Sequence, residues 1–344
     1  MKMQMEIAPT DSTALYKNST KLNQPITDHK HLQFIEAYND EKVLLGACNL
    51  NGRLWNGSVW LYNDLTNFDK INALVSSTTE SSVCDAVFLE TDKFVVVEDS
   101  GVLQILQVIL NPVTQSKQIQ CLGYTCQHDD TILSASAFHK KTRIITAGID
   151  CCIKIWNLED LLAERSYESA HRKIISCLDT KPRSNDIFAS AGLDGEALVW
   201  DVRQESPAQV IYSNSGHQLR AIAWRPSDDN ALVIGSVDGG VTLIDTRKPQ
   251  DFVMHSGSFK KSIHKIKFDP KRPHLLATCS DDTDLKVLDT NQHFATIYHD
   301  QRHNDFVRGI TWFDENLLSC AWDNTVLRHI VRETSSATLP VHDQ

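Results

Sequence analysis

Short apolar runs alternate with tight polar turns along most of the chain. The recurring element is an apolar run, a turn containing aspartate, and a second apolar run that often ends in Trp-Asp or a related pair. The runs are rich in β-branched residues and alternate with a period of two, which predicts strands rather than helices. Six copies are regular, and they are VVVEDSGVLQIL, IITAGIDCCIKIWN, FASAGLDGEALVWD, LVIGSVDGGVTLID, LATCSDDTDLKVLD and LLSCAWDNTVLRHI.

The turn aspartates of these copies recur at a nearly constant interval. Successive gaps are 51, 44, 44, 44 and 41 residues, and an irregular first copy, VLLGACNLNGRLWNGSVWLYN, makes seven units. A period of ~40–45 residues that holds four strands is typical of β-propellers. We therefore expect an all-β, seven-bladed propeller over residues 31–332, with an N-terminal arm at 1–30 and a polar tail at 333–344. The turn aspartates are Asp99, Asp150, Asp194, Asp238, Asp282 and Asp323.

The units resemble the WD-repeat family of β-propellers, and the resemblance covers roughly residues 34–332. In that family a His, a Ser or Thr, an Asp and a Trp form a buried hydrogen-bond network within a blade. The resemblance places complete sets in two blades: His128, Thr146, Asp150 and Trp156 in the third, and His171, Ser190, Asp194 and Trp200 in the fourth.

Three other blades keep only part of this set. The retained residues are His303, Ser319 and Asp323 in the seventh blade, His217 and Asp238 in the fifth, and Asp282 in the sixth. His329 stands where blade seven should have tryptophan, Ile234 occupies the hydroxyl position of blade five, and Phe259 lies near the expected histidine of blade six. We expect the network of blade six to be incomplete.

The His–Ser–Asp sets invite comparison with a catalytic triad. They recur once per blade, which favours a structural role that satisfies polar groups under the turns. The sequence has no Gly-rich phosphate loop, paired HxxxH motif or nucleophile elbow, and the acidic run at 281–284 lacks the glycine and final glutamate of a calcium loop. We predict no catalytic residue, no metal, no cofactor and no enzymatic activity.

Composition narrows the range of partners. The 344 residues carry a formal net charge of −10, with a sequence pI near 5.7, which argues against a nucleic-acid binder and suits basic protein partners. No stretch approaches ~18 uninterrupted apolar residues, and the N-terminus has no apolar targeting region. Nine cysteines without a CxxC pair suggest reduced thiols in the cytoplasm or nucleus.

Several surface segments depart from the repeat pattern. The first unit places Arg53, Leu54 and Trp55 between two Asn/Gly turns, and we interpret Trp55 as a hot-spot anchor for a partner, although packing on its own blade is the alternative. A second aromatic segment contains Phe306 and Trp322. Alternation with apolar residues predicts that most of the basic residues at 260–272 form the solvated face of a strand, with an acidic-partner site as the alternative.

Two further predictions concern the strand that completes the last blade and the residues that contact basic substrates. The last unit ends near residue 332 without an outermost strand, so we expect residues 13–30 to supply one, with the tail as the alternative. Acidic side chains cluster in the second unit and are the candidates for contact with basic substrates. They are Glu80, Glu90, Asp92, Glu98 and Asp99.

The loops also resemble one particular family. LLGACNLNGRLWNGSVWLYND, CIKIWNL and HNDFVRGITW…LLSCAWDNTV are similar to methylosome protein 50, the WD-repeat partner of the symmetric-dimethylating protein arginine methyltransferase. This resemblance implies a non-catalytic adaptor that binds the methyltransferase TIM barrel in a hetero-octamer of four plus four subunits. It also implies that the adaptor presents basic substrates such as histones and Sm proteins, and that Trp55 contacts the barrel.

A second hypothesis concerns ubiquitin transfer. WDVR (Trp200–Arg203) and the weaker IDTR (Ile244–Arg247) resemble the W-D-x-R box of substrate receptors of cullin-type ubiquitin ligases. The box is short and also arises in ordinary WD repeats. We expect a receptor to bind the ligase adaptor irrespective of Trp55, whereas a methylosome adaptor should depend on it.

Overall fold

The computed structural model describes residues 29–51, 54–63, 67–249, 252–257 and 259–332. These residues form 27 β-strands, β1 to β27, and one short 3-10 helix at Lys70–Asn72. The strands form seven antiparallel sheets, and each sheet contains one of the seven sequence units. The predicted seven-bladed all-β propeller is therefore confirmed.

Each blade is an up-and-down meander in which consecutive strands are neighbours. Blade 1 contains β1 (His31–Tyr38), β2 (Lys42–Asn51), β3 (Leu54–Tyr62) and β4 (Val75–Thr79). Blade 2 contains β5 (Val83–Glu90), β6 (Lys93–Glu98), β7 (Val102–Leu110) and β8 (Lys117–Cys126). Blade 3 contains β9 (Ile132–Ala137), β10 (Arg143–Gly148), β11 (Ile153–Asn157) and β12 (Ala163–Tyr167).

The remaining blades follow the same order. Blade 4 contains β13 (Ile175–Thr180), β14 (Ile187–Gly192), β15 (Glu196–Asp201) and β16 (Gln209–Ser213). Blade 5 contains β17 (Leu219–Trp224), β18 (Ala231–Ser236), β19 (Val241–Asp245) and β20 (Phe252–Ser256). Blade 6 contains β21 (Ile263–Phe268), β22 (Leu275–Ser280), β23 (Leu285–Asp289) and β24 (Ala295–Asp300). Blade 7 contains β25 (Val307–Phe313), β26 (Asn316–Ala321) and β27 (Val326–Ile330).

The first strand of every blade lies innermost. These seven strands contact one another in sequence, and β1 also contacts β25, which closes the ring around a central channel. The two halves of the channel have cavity volumes of about 490 and 420 Å³. The segment expected to complete blade 7 lies outside the described residues, except for the bend at His29 and Lys30 that leads into β1.

The core is divided among the junctions between blades. Seven clusters of buried apolar residues fill the seven junctions, one for each pair of neighbouring blades. The junction of blades 7 and 1 packs Leu32 and Val43 against Leu318 and Cys320. Burial of this apolar surface holds the first and last blades together as it does the others.

In blades 2, 3, 4, 5 and 7 the turn between the second and third strands contains a left-handed residue. Gly195 has φ of +83° directly after the turn aspartate of blade 4, and an added Cβ would lie 2.1 Å from the carbonyl oxygen of Asn214. Cys151 and Asn324 adopt the same region, with φ of 60° and 58°, at the corresponding places of blades 3 and 7. Tight turns of this kind explain the Asp-Gly and Asp-Asn pairs in the repeat.

Part of the basic run at 260–272 lies in a different environment from the one expected. Lys265 and Lys267 lie on β21, the innermost strand of blade 6, and both line the channel. Lys265 forms ion pairs with Glu36 at 3.4 Å and Asp85 at 3.1 Å, and Lys267 also pairs with Glu36. The predicted solvated face is therefore wrong for these two lysines, because a ring offers an inner face on which charges can pair.

Candidate interaction surface

Blades 3 and 4 bring the complete sequence-derived sets together. In blade 3, His128 Nε2 lies 2.7 Å from Thr146 Oγ1 and His128 Nδ1 lies 2.6 Å from Asp150. Trp156 Nε1 donates to the same Thr146 hydroxyl at 2.7 Å. Trp156 is 1% exposed and Thr146 is fully buried, so this network is sealed from solvent.

Blade 4 repeats this geometry closely. His171 lies 2.6 Å from Ser190 Oγ and 3.0 Å from Asp194, and Trp200 Nε1 donates to Ser190 at 2.8 Å. The Ser190 hydroxyl accepts the indole N–H and can donate its own hydrogen to His171 Nε2, while Asp194 accepts the Nδ1–H of the ring. Burial alone would raise the pKa of Asp194, but the hydrogen bond and charge of His171, together with the backbone N–H groups of Arg172 and Glu196, outweigh burial and lower the pKa.

Blade 7 reaches the same pattern with a different residue. His303 lies 2.7 Å from Ser319 Oγ and 3.2 Å from Asp323. His329 occupies the tryptophan position, and its Nε2 lies 2.7 Å from the same Ser319 hydroxyl. Burial lowers the pKa of His329, so a neutral ring can donate through Nε2 as the indole does elsewhere.

Blades 5 and 6 bring only part of the set together. His217 lies 2.6 Å from Asp238, but both side chains are about half exposed and Ile234 offers no hydroxyl. In blade 6 the side chain of Asp282 accepts from Ser280 Oγ at 2.5 Å, while buried Phe259 replaces the histidine. The side chains of His217, Asp238 and Asp282 therefore make their polar contacts within the turn or at its surface.

A continuous series of rings crosses the junction of blades 1 and 7. The centroid of Trp55 lies 5.8 Å from that of His31, His31 lies 4.9 Å from Trp322, and Trp322 lies 5.6 Å from Phe306. We call Trp55, His31, Trp322 and Phe306 the aromatic row. The Nδ1 atom of His31 is buried without a hydrogen-bond partner among the described residues.

The two ends of the aromatic row differ in exposure. Trp55 is partly buried on β3 and lies opposite Leu50, whose side chain is 50% exposed. Phe306 at the other end is 38% exposed. Exposed apolar area next to aromatic rings is typical of protein-binding surfaces. Arg53, which sequence placed beside Trp55, lies outside the described residues, and the structure describes only the backbone of Leu54, at the start of β3.

Sequence analysis singled out Trp55, Phe306 and Trp322 but missed His31. The histidine follows the N-terminal arm and carries no repeat signature. It becomes conspicuous only when ring closure brings blade 1 against blade 7. A search for aromatic residues at both ends of the repeat array would have found it.

The acidic residues of blade 2 are not one surface. Glu98 is 3% exposed and is hydrogen-bonded to Ser81 and Gln104. Burial raises the pKa of Glu98. Its prediction as a substrate contact is therefore wrong, because a buried carboxyl cannot reach a basic tail. Glu80, Glu90 and Asp92 have more accessible positions.

The W-D-x-R box forms a local ion pair at the end of β15. Arg203 contacts the side chain of Asp201, with Nε at 2.8 Å, and its own side chain is 72% exposed. Arg247 pairs with Asp245 in the same way after β19. The guanidinium groups are accessible, while Trp200 is buried in the blade.

Other kinds of site were sought among the described residues. No group of three or more His, Cys, Asp or Glu side chains in this part of the chain is placed to hold a metal ion. Within the same residues, no helix is long and apolar enough to cross a membrane. All nine cysteines are free thiols.

Comparisons with known proteins agree with the blade architecture. The WD domain, G-beta repeat family matches residues 119–157 and 164–201, which belong to blades 2 to 4. Methylosome protein WDR77 of Xenopus laevis is 27% identical over 296 residues, with 84% of this chain and 86% of that protein covered.

Two further relatives match over smaller shares of their own length. Protein transport protein SEC31 of Chaetomium globosum is 25% identical over 270 residues, covering 74% of this chain and 21% of that protein. E3 ubiquitin-protein ligase COP1 of Arabidopsis thaliana is 24% identical over 254 residues, covering 70% and 37%. Of these three matches, the one to methylosome protein WDR77 covers the largest share of both chains.

Proposed function

Because the chain is a seven-bladed WD-repeat β-propeller with distant similarity to methylosome protein WDR77, we propose that it is a non-catalytic adaptor of a protein arginine methyltransferase. The adaptor binds the TIM-barrel domain of the catalytic subunit in an assembly of four plus four chains, in the cytoplasm and nucleus. The aromatic row is the observation that carries this proposal, because it is an apolar surface and three of its rings, Trp55, Phe306 and Trp322, lie in segments that resemble the methylosome family.

The chemistry of the row suits a protein interface. Tryptophan supplies a large contact area with few rotatable bonds, so it loses little conformational entropy on binding. Trp55 and Trp322 lie on different blades and are joined through His31. A partner that covers the row therefore engages both blades at the closure of the ring.

The client proteins in this proposal are basic. The net charge of −10 favours encounter with cationic Arg/Gly-rich, histone or Sm-type segments by long-range attraction. The propeller has no catalytic part in this function. It positions the substrate while the methyltransferase performs symmetric dimethylation.

The test is co-expression with the arginine methyltransferase of the same organism, followed by size-exclusion chromatography with light scattering. We expect a large co-eluting assembly, and we expect Trp55→Ala to weaken it by about 2 kcal/mol or more, since truncation removes a hot spot. Tyr124→Ala is the matched control, because Tyr124 is 72% exposed on the outer strand of blade 2.

The outcomes test the adaptor function separately from the position of its interface. Assembly that withstands both Trp55→Ala and Trp322→Ala keeps the adaptor function and moves the interface elsewhere. Failure of the wild-type chain to co-elute with the methyltransferase refutes the adaptor function. Equal weakening by Tyr124→Ala would show that the effect is not specific to the aromatic row.

The exposed Arg203 supports a second candidate, a substrate receptor of a cullin-type ubiquitin ligase that uses the box Trp200–Arg203. This candidate predicts binding to the ligase adaptor that is lost on Arg203→Ala and unaffected by Trp55→Ala. A pull-down of both variants distinguishes it from the methylosome adaptor. Arg302 pairs with Asp300 in the same way outside any such box, so the geometry also forms as an ordinary turn, which favours the methylosome proposal.

A further inference from the structure

Each blade contributes one bulged residue to the lining of the channel mouth beside the aromatic row. Every innermost strand carries a register shift near its start, and the residue skipped by the pairing is a β-bulge. A bulge leaves its extra residue unpaired and re-aims the side chain. All seven bulged residues line the same cavity of about 420 Å³, and they are Gln33, Cys84, Leu133, Ser176, Arg220, His264 and Arg308.

Charge is distributed unevenly around this mouth. Among the bulged residues, blades 5, 6 and 7 contribute Arg220, His264 and Arg308, while those of the other four blades are uncharged or thiol side chains. Asp85 of blade 2 and Lys265 of blade 6 also line the cavity, and they pair with each other. Burial and the two nearby guanidinium groups lower the pKa of His264 to about 4, so it is neutral near pH 7. The positive charge of the ring therefore comes from the two arginines on one side.

The pairing of these cations is incomplete. Arg308 Nη1 lies 3.2 Å from Asp281, but its Nε is buried without a hydrogen-bond partner among the described residues. Lys265, deeper in the channel, is already paired with Glu36 and Asp85. Arg220 has no hydrogen bond or ion pair within the described part of the chain, although it is partly buried. Burial would raise the pKa of Asp281, but the hydrogen bond from His264 and the charges of Arg220 and Arg308 lower it. The two guanidinium groups at the mouth therefore share Asp281 as a counterion.

The mouth is continuous with the aromatic row. Trp322 belongs to the row and also lines the cavity. The Arg308 guanidinium lies 4.6 Å from the Trp322 ring centroid and 5.2 Å from that of Phe306. A protein seated on the row therefore reaches the mouth, where a partly desolvated arginine favours a carboxylate through charge-assisted hydrogen bonds.

We propose that the protein docked on the aromatic row inserts an aspartate or glutamate side chain into the channel mouth, where Arg220 and Arg308 hold its carboxylate. The identity of that protein as the methyltransferase rests on the proposed function. The groups that bind the carboxylate belong to this chain, because Arg220 and Arg308 are the bulged residues of blades 5 and 7. The buried arginines make insertion specific for an acidic side chain over its amide counterpart.

The first test uses the isolated protein. A short peptide with one central glutamate and blocked ends is titrated while the indole N–H signals are followed by NMR, with Trp322 assigned through Trp322→Phe. We expect the chemical shift of the Trp322 indole N–H to change on addition of the glutamate peptide and to remain unchanged with the glutamine version of the peptide. In the Arg220→Gln variant, we expect no change with either peptide. No shift in the wild type, or an unchanged shift in Arg220→Gln, overturns the proposal.

The second test uses the complex. We expect Arg220→Gln to weaken methyltransferase binding at least about 30-fold, as loss of one partner of a desolvated charge pair does. Arg220→Lys keeps the positive charge and should lose less affinity for the methyltransferase than Arg220→Gln. Carbodiimide can also couple the lysine amine of this variant to a carboxylate in contact with it. Arg172→Gln is the control, since Arg172 is an exposed cation on blade 4.

The results distinguish the proposed insertion of a carboxylate from the proposed adaptor function. Binding that depends on Trp55 but not on Arg220 overturns the insertion and leaves the adaptor function intact. Equal weakening by Arg172→Gln indicates general electrostatics and also overturns the insertion. If the wild type does not bind the methyltransferase, the proposed function fails, and the peptide titration decides the chemistry of the mouth.

Discussion

At the residue scale, one hydroxyl group organises each complete network. The Thr146 hydroxyl accepts the indole N–H of Trp156 and donates to His128, which fixes the tautomer of the imidazole. In blade 7, His329 takes the tryptophan position, and its Nε2 contacts the Ser319 hydroxyl. Another residue can therefore replace the tryptophan if it also presents an N–H to the hydroxyl. The hydroxyl is therefore harder to replace than the aromatic residue.

We expect Thr146→Val to destabilise the protein by about 2–3 kcal/mol, because it leaves the indole N–H and an imidazole nitrogen buried without partners. The free energy of unfolding from urea denaturation measures the effect. Thr78→Val, an exposed threonine on β4, is the control and should change stability by less than about 0.5 kcal/mol. Equal effects from the two substitutions would contradict this role for the hydroxyl.

Residues of the candidate surface were predictable to different degrees. Trp55 could be found from sequence because it interrupts a polar turn. The partnership of Trp55 with Trp322 could not, since 267 residues separate them in sequence and only ring closure brings them to the same imidazole. Arg220 gave no sequence signal, because its place beside Arg308 at the channel mouth is a property of the folded ring.

At the scale of elements, the central hairpin of each blade was the most predictable part of the fold. Its two apolar runs and aspartate turn are local in sequence, so the pattern specifies both strands and their register. The innermost strands were less predictable. On β21 the alternation of lysine with apolar residues is that of a solvated strand, but its polar face lines a channel shared with six other strands.

The lysines of β21 connect blades that are not neighbours. Lys265 of blade 6 reaches Glu36 of blade 1 and Asp85 of blade 2, and all three side chains are less than one quarter exposed. Burial would raise the pKa of Glu36, but the charges of Lys267 and Lys265 outweigh it and lower the pKa. The carboxylates therefore depend on these cations to stay charged inside the channel.

We expect Lys265→Met to destabilise the protein by about 3 kcal/mol, because removing one partner leaves buried carboxylates uncompensated. Urea denaturation at pH 7 measures the change. Lys117→Met, at the exposed start of β8, has the same loss of charge without burial and should be near neutral. A loss below about 1 kcal/mol for Lys265→Met would show that water in the channel replaces the lysine.

At the scale of the whole molecule, the channel sets how stability depends on pH. Asp179 lies on β13 with its side chain toward the channel, and it accepts the backbone N–H of Trp224 at 2.7 Å. Burial raises the pKa of Asp179 to about 7, although that hydrogen bond and a second one from Thr180 act against the shift. The folded ring therefore binds a proton here between about pH 4 and pH 7, where an unfolded aspartate has lost it.

This difference has a definite sign. Because the folded state binds more protons over that interval, the free energy of unfolding falls as pH rises from 4 to 7 and is flat above it. Asp179→Asn removes the titration, so the stability of the variant relative to wild type should increase by about 1–3 kcal/mol between pH 4 and pH 8. Other titrating groups are common to both proteins and cancel in the comparison. Glu80→Gln, at an exposed carboxyl, should give a curve parallel to wild type. A parallel curve for Asp179→Asn would mean that Asp179 is ionised in the folded ring, with channel water supplying the solvation that burial was expected to remove.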